Sequence, residues 1–597
     1  MKFIFSYLKK YQKLVAAVMI IKLMGTLGEL MLPYVLEHLV DEVVPTRSIR
    51  QVFLWGGVMI LLAVLVRQLN VGANRLSVRV AKESIFEIRR DLFWKSINLS
   101  GNKLDGFGLP SLNSRMTSDS YNVQSFIQSF QSLGIRAPIM LIGGIVITLT
   151  MDVGLASILC ILAPIMIVVV VFVSMKGIPL YDKVQQSIDH IVRIMRENIT
   201  GIRVVKALSK EDYGTRRFGG ANHQMAEKEI KAGVVMALPG PLMTLILNIG
   251  LTIVVIIGAV QVNNGVTKPG VILAFLTYFN MILMGVMALN RVFMLMSKAN
   301  ASASRIAAVV GTADDMVPLS DKEAFHTKRN EYIIFEHVNF SYGDESDVKE
   351  DKDKSPKEVS SEWFDGMNRQ KCLEDIDFSM KKGASLGIIG ATGCGKTTII
   401  NLLMRFYDAD EGRIFIDGKD VRTYDKDELH QMFGVVFQND VIFADSLKEN
   451  ISFGRDVSMQ EIEGAAANAK AKGFIEEYED SYDHRAVVHG ANLSGGQRQR
   501  VLIARALAAN PQILILDDSS SALDYKTDAA LRKAIREHHK SATTIIVAQR
   551  ISSIMSLDDI IVLDEGRIIG HGTHQELMAN CEMYREIYKT QMGEQAV

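Results

Sequence analysis

The feature that most constrains this chain is where its charges are missing. Long runs almost free of ionisable side chains occupy Leu14 to about Val40, Val52–Val66, Ala137–Met151, Leu155–Val173, Leu242–Val262 and Val271–Leu289. Segments of this length and polarity read as membrane-spanning helices, because in hydrocarbon a helix satisfies its own backbone groups. Past residue 310 the apolar stretches shrink to strand length, and the chain reads as a soluble α/β domain. The 597 residues also exceed what one core organises. The expected organisation is an all-α membrane domain of about six helices over 1–310, a polar linker over 311–331, and a second domain over 332–597.

The connections between the runs are unequal. Those near 41–51, 152–154 and 262–270 are short, the second being a tight turn around Asp152. The segments 67–136 and 174–241 are long, helical in period and rich in Lys and Arg, including Arg75, Arg79, Arg89, Arg90, Lys183, Arg193, Arg203 and Arg217. Basic excess marks the cytoplasmic side. Both long segments, both termini and the second domain are therefore expected in the cytoplasm of a multi-pass cell-membrane protein, with the spanning helices extended into water. Among the few charges inside the runs, Lys22 and Arg67 lie near enough to an interface to snorkel, whereas Glu29 is the candidate for a cavity wall. Glu37 also lies in the first run. Met281, Met284 and Met287 share helical spacing on the last run, suiting either core packing or a permissive binding wall.

Composition adds exclusions. Lys and Arg number 66 against 67 Asp and Glu, so charge points to no nucleic-acid partner. Four cysteines in a chain this long form no disulfide framework, and Cys160 and Cys394 suit reduced thiols. The stretch 343–371 is a charged insert, expected to be disordered because it cannot bury apolar area.

The second domain carries its chemistry in Gly390, Ala391, Thr392, Gly393, Cys394, Gly395, Lys396, Thr397 and Thr398. An apolar strand, Leu386 to Ile389, precedes them and a helical run from Ile399 follows, the order a phosphate cradle requires. Glycines let successive backbone N–H groups face one anion, and the helix N-terminus adds positive potential. Lys396 would reach the terminal phosphates of ATP, and the Thr397 hydroxyl would bind Mg²⁺. Farther on, Ile513 to Leu516 is a strand that delivers Asp517 to the same metal.

With Gln438, with Leu493, Ser494, Gly495, Gly496 and Gln497, and with Ser521-Ala-Leu-Asp524, the order of these motifs resembles a half-size ABC transporter of the exporter type. Glu197 to Lys206 resembles that family's second cytoplasmic loop. The resemblance implies ATP-driven export by two chains whose nucleotide domains close head to tail. It implies that Tyr342 stacks on adenine, that Gln438 senses Mg²⁺ and the membrane domain, and that Asp524 couples the two sites. It further implies that Leu493 to Gln497 completes the partner chain's site, with Ser494, Gly495 and Gly496 at its γ-phosphate.

Two positions depart from the family pattern. Asp518 stands where the family usually places Glu, the base that polarises attacking water, and Gln549 stands where it places a switch histidine. Asp keeps the charge but is one methylene shorter, and Gln donates a hydrogen bond without a titratable proton. Both changes fall on groups serving one γ-phosphate, which points to a heterodimer with a weakened site in this chain. A slow homodimer, or an ATP-binding regulatory membrane protein that does not pump, are the alternatives. A third departure, Val487-Val-His489-Gly490, lies just before the signature, where the family often has an acidic residue. The cargo implied by the resemblance is an amphipathic or hydrophobic small molecule, lipid or peptide.

Overall fold

The computed structural model describes residues 1–320, 325–343, 369–519 and 521–593. Packing divides the chain into one unit of Met1–Ile97 with Pro110–Gly311 and a second of Asn98–Leu109 with Thr312–Val597. The charged insert lies mostly outside the described residues, which resume at 369.

Among the described residues, six helical spans are long and apolar enough to cross a membrane. They are built from α1 (Gln12–His38), α2 (Ile49–Ile97), α4 (Ser120–Met151), α5 (Val153–Thr200), the pair α7 (Glu211–Ala237) and α8 (Pro239–Asn263), and α9 (Pro269–Val310). The 49 residues of α2 run about 74 Å, more than twice the ~30 Å of a hydrocarbon core. The helices that run into 67–136 and 174–241, α2, α4 and α5, thus continue well past their apolar runs, and α7 leads into α8. The turn at Asp152 is an N-cap, its carboxylate accepting from Leu155 N at 2.9 Å. At the same end of the spans, Asp41 lies buried and accepts from Gly270 N at 2.6 Å and Val271 N at 3.1 Å, capping α9.

One expectation for the membrane part needs correcting. Lys22 does not snorkel: it is 4% exposed, and its ammonium donates to Asn70 and Asn74 of α2 at 2.9 and 3.2 Å. The apolar environment leaves the ammonium no water, so two amide oxygens replace it. The methionine stripe divides. Met281 packs with Leu30 and Tyr278, while Met284 and Met287 remain exposed.

Among its described residues the second unit has two sheets. An antiparallel sheet in the order β2-β1-β4-β5 is made of β1 (Ile333–Gly343), β2 (Arg369–Met380), β4 (Glu411–Ile416) and β5 (Lys419–Asp420). The other runs β10-β9-β3-β8-β7-β6, from β3 (Ser385–Gly390), β6 (Phe433–Val436), β7 (Ile513–Asp517), β8 (Thr543–Val547), β9 (Asp559–Asp564) and β10 (Arg567–Gly572). All but β10 are parallel, so their faces are buried and their sequences read as unbroken apolar runs. Along β7 the side chains alternate: Leu514 and Leu516 enter one core, Ile513 and Ile515 the other. The four cysteines are free thiols.

The short helix α3 (Gly101–Phe107) joins this second unit although its sequence lies between two spans. Its first amide, Gly101 N, donates to Phe406 O at 3.0 Å, and Ser100 Oγ donates to Asp315 at 2.6 Å. A Cβ on residue 101 would lie 2.5 Å from the Tyr407 ring, so only glycine allows this approach. A second short helix, α6 (Ile202–Ala207), belongs to the first unit and leaves Ile202 and Val204 exposed, with Leu208 just beyond it.

Candidate nucleotide site

The carboxyl ends of β3, β8 and β7 lie side by side, and each delivers one part of the site. After β3 the chain turns through Gly393 (φ 85°) and Gly395 (φ 101°) into α10 (Lys396–Leu403). At Gly390 a Cβ would sit 2.0 Å from Leu563 O, so the loop can begin only with glycine. Lys396 folds back over its own loop, donating to Gly390 O at 2.9 Å and Ala391 O at 2.7 Å. Cys394 is buried beneath the loop, and burial pushes its thiol up.

Thr397 and Asp517, 120 residues apart in sequence, meet at the bottom of the crevice, where the Thr397 hydroxyl donates to Asp517 Oδ2 at 2.9 Å. Asp517 is 2% exposed, and burial raises its carboxyl above the ordinary range. A hydroxyl beside a poorly solvated carboxylate is a hard oxygen pair short of a countercharge, which suits Mg²⁺. Asp518 follows in the left-handed region (φ 49°), its amide bonded to Val547 O at 2.9 Å. It too is raised by burial, against the opposing pull of Lys396 and Arg550. Gln549, just past β8, donates from Nε2 to Asp518 Oδ2 at 2.9 Å.

The residues expected around this centre fall into two groups. Tyr342 is half-buried, edge-on to Phe340 and Tyr407, with its hydroxyl donating to Thr398 at 3.2 Å. Thr398 is therefore engaged on the inner side of α10, while Gln438 lies exposed beyond β6. The signature forms the start of α11 (Gly495–Ala508): Ser494 accepts from Gln497 N at 3.2 Å, and Gln497 accepts from Ser494 N at 2.8 Å. This capping box leaves Ser494 and Gly495 exposed at a helix N-terminus, above buried Leu493. Gly496 faces Ala522 O, next to Asp524, which caps α12 (Tyr525–His538) through Thr527 N at 2.9 Å. Those bonds hold the Asp524 carboxyl below its usual range. Among the described residues no hydrogen bond or ion pair joins 493–497 to 390–398 of the same chain.

Comparison with known proteins decides the family. Residues 15–287 match the ABC transporter transmembrane region and residues 373–521 the ABC transporter family. Over 98% of both chains, the sequence is 33% identical to the uncharacterized ABC transporter ATP-binding protein YfiB of Bacillus subtilis (strain 168). This chain is an ABC transporter. The transporter is also 32% identical to the uncharacterized ABC transporter ATP-binding protein Rv1273c of Mycobacterium tuberculosis (strain ATCC 25618 / H37Rv), over 98% of this chain and 97% of that one. Its fold matches a solved bacterial Atm1-family ABC exporter with ATP bound, at TM-score 0.79 and 24% identity over 98% of this chain and 99% of that chain. The chain thus fuses an ABC transporter membrane domain and an ATPase domain in the fold of that exporter, and ATP hydrolysis coupled to transport is the activity of such an ATPase domain.

Several residues of the transporter's site had no sequence signal. On α13 (Glu582–Met592), Gln591 donates to Gln549 O at 2.8 Å and accepts from Ile551 N at 2.7 Å, clamping the loop that carries Gln549. Arg505 of α11 donates to Asn450 O at 2.7 Å and Val441 O at 3.0 Å, tying the signature helix to the chain just after Gln438. The departure at 487–490 leaves Val487 and Val488 exposed, with His489 O accepting from Arg498 at 3.2 Å.

Proposed function

We propose that this transporter carries an amphipathic or hydrophobic substrate out of the cytoplasm as one half of a heterodimer, and that its own ATP site hydrolyses weakly. The Gln549–Asp518 contact carries this reading. A carboxylate one methylene short of the usual base would stand back from the attacking water, and an ångström of misplacement costs on the order of a hundredfold. Its partner amide holds it in place but cannot become cationic as phosphate leaves.

Lys396 and the loop amides would hold the β- and γ-phosphates of ATP, with Tyr342 against the base. Thr397 and Asp517 would hold Mg²⁺, assisted by Gln438; the ion would offset charge on the transferred phosphoryl group. Asp518 would orient water while Gln549 positions Asp518. The exposed N-terminus of α11 would meet the γ-phosphate on the partner chain's loop, and Asp524 would couple the two seams. ATP would draw the nucleotide domains together, and the extended helices would turn the cavity outward.

The test is a comparison of ATPase rates for the purified chain alone and for the chain with whatever half-subunit co-purifies. Brisk turnover by the chain alone, in a two-copy assembly, would end the heterodimer reading. A rate that rises sharply with the second subunit supports it.

A further inference from the structure

Two cations and one carboxylate meet in the first unit where the apolar runs of the second and third spans end and begin. Lys22 is buried against Asn70 and Asn74, whose amides are neutral and leave its charge uncancelled. The charged groups acting on it are Arg136 and Glu29. Arg136 Nη2 donates to Glu29 Oε1 at 2.6 Å, while Glu29 Oε2 and Arg136 Nε are buried without a hydrogen-bond partner. The cluster therefore holds one surplus positive charge and two unfilled hydrogen-bonding atoms. Charge in an apolar setting is costly unless it is paired. Lys22 is sealed, yet the side chains of Arg136 and Glu29 keep 31% and 26% of their exposure, so a molecule beside α1 and α4 can reach them.

We propose that Arg136, restrained by Glu29 and backed by Lys22, receives the acidic head of an amphiphilic cargo. The exporter then selects amphiphiles headed by phosphate, sulfate or carboxylate over cationic ones. A guanidinium binds such heads through paired N–H donors, and Lys22 adds attraction without contact. Glu29 cancels the Arg136 charge when the site is empty, leaving that of Lys22, and competes with the cargo for Arg136. This inference rests on the export reading and narrows it.

The test uses proteoliposomes containing the chain with its co-purifying half-subunit. ATPase stimulation is measured with dodecyl phosphate, dodecyl maltoside and dodecyltrimethylammonium below their micelle concentrations. Dodecyl phosphate is expected to act at the lowest concentration. Arg136→Gln raises its half-maximal concentration about tenfold without a matching change for the maltoside, and Arg136→Lys recovers part of the loss. Glu29→Gln moves the same quantity down, because the competitor is gone. If the pair were only a tie between helices, both variants would shift all three compounds alike, and that result overturns the proposal. Strongest stimulation by the trimethylammonium compound overturns it too, while leaving export intact. No stimulation by any compound, with no ATP-driven uptake into inverted vesicles, removes the export reading and this one together.

Discussion

The hydroxyl of Tyr407 donates to Asp105 at 2.7 Å, linking the chain just past the phosphate-loop helix to the short helix α3, 302 residues earlier in sequence. The Tyr407 ring also lies edge-on to Tyr342, with centroids 5.2 Å apart. Tyr407 therefore touches both the aromatic expected at the base and the segment that lies between the second and third spans in sequence. Gly101→Val would force a side chain into the ring at a cost of about 1–3 kcal/mol. Nucleotide binding, followed with a fluorescent ATP analogue, should survive while cargo-stimulated ATPase falls. Equal loss of both would mean that α3 only supports the fold.

The site proposed to hydrolyse weakly should be repairable. Asp518→Glu together with Gln549→His is expected to raise ATPase of the chain toward that of a competent site, by about a hundredfold if distance is the main deficit. Either change alone should yield less, because the two side chains touch. Steady-state rates of the four proteins at saturating ATP and Mg²⁺ provide the check, and purely additive small effects would count against the idea.

Acid dependence follows from burial. Asp517 and Asp518 are both raised by desolvation, so own-site turnover should fail on the acid side at a higher pH than ordinary carboxylates dictate. Gln549 contributes no limb in the histidine range, whereas Gln549→His should add one near about pH 6.5. For stability the sign is opposite. A carboxyl raised on folding binds its proton more readily in the folded state, so nucleotide-free protein gains stability as pH falls toward the raised value. Asp517→Asn should therefore raise Tm at neutral pH and reduce the stabilisation produced by Mg²⁺ with ATP. A lower Tm for that variant without nucleotide would contradict the assignment.

Asn450 is 1% exposed, accepts from Phe443 N at 2.9 Å, and donates to Phe443 O at 3.0 Å. Arg505 reaches the same side chain at 3.0 Å. Asn450→Ala would strand several buried groups and should cost about 2–4 kcal/mol, read as a lower Tm of the full chain in detergent. An unchanged Tm would show that water replaces the amide.

Much of the site was legible because its pieces are local. Glycines followed by Lys396 and Thr397 between a strand and a helix, or four apolar residues ending in Asp517, carry their geometry in adjacent residues. The two departures at 518 and 549 were visible for the same reason. Lys22 misled because hydropathy places it by depth along one helix and is blind to Asn70 and Asn74 on the next. Nothing local marked Gly101 as the seat for Tyr407, or Gln591 as the clamp on Gln549.

Charge distribution and short motifs were enough to read six spans, a glycine-rich turn between strand and helix and the order of the parts, since each follows from backbone satisfaction or turn chemistry within a few residues. The pairing of Gln549 with Asp518, Arg136 with Glu29 and α3 with the ATPase unit came only with the folded chain. Such pairs join positions tens to hundreds of residues apart, and their energies depend on burial and direction, which no stretch of sequence contains.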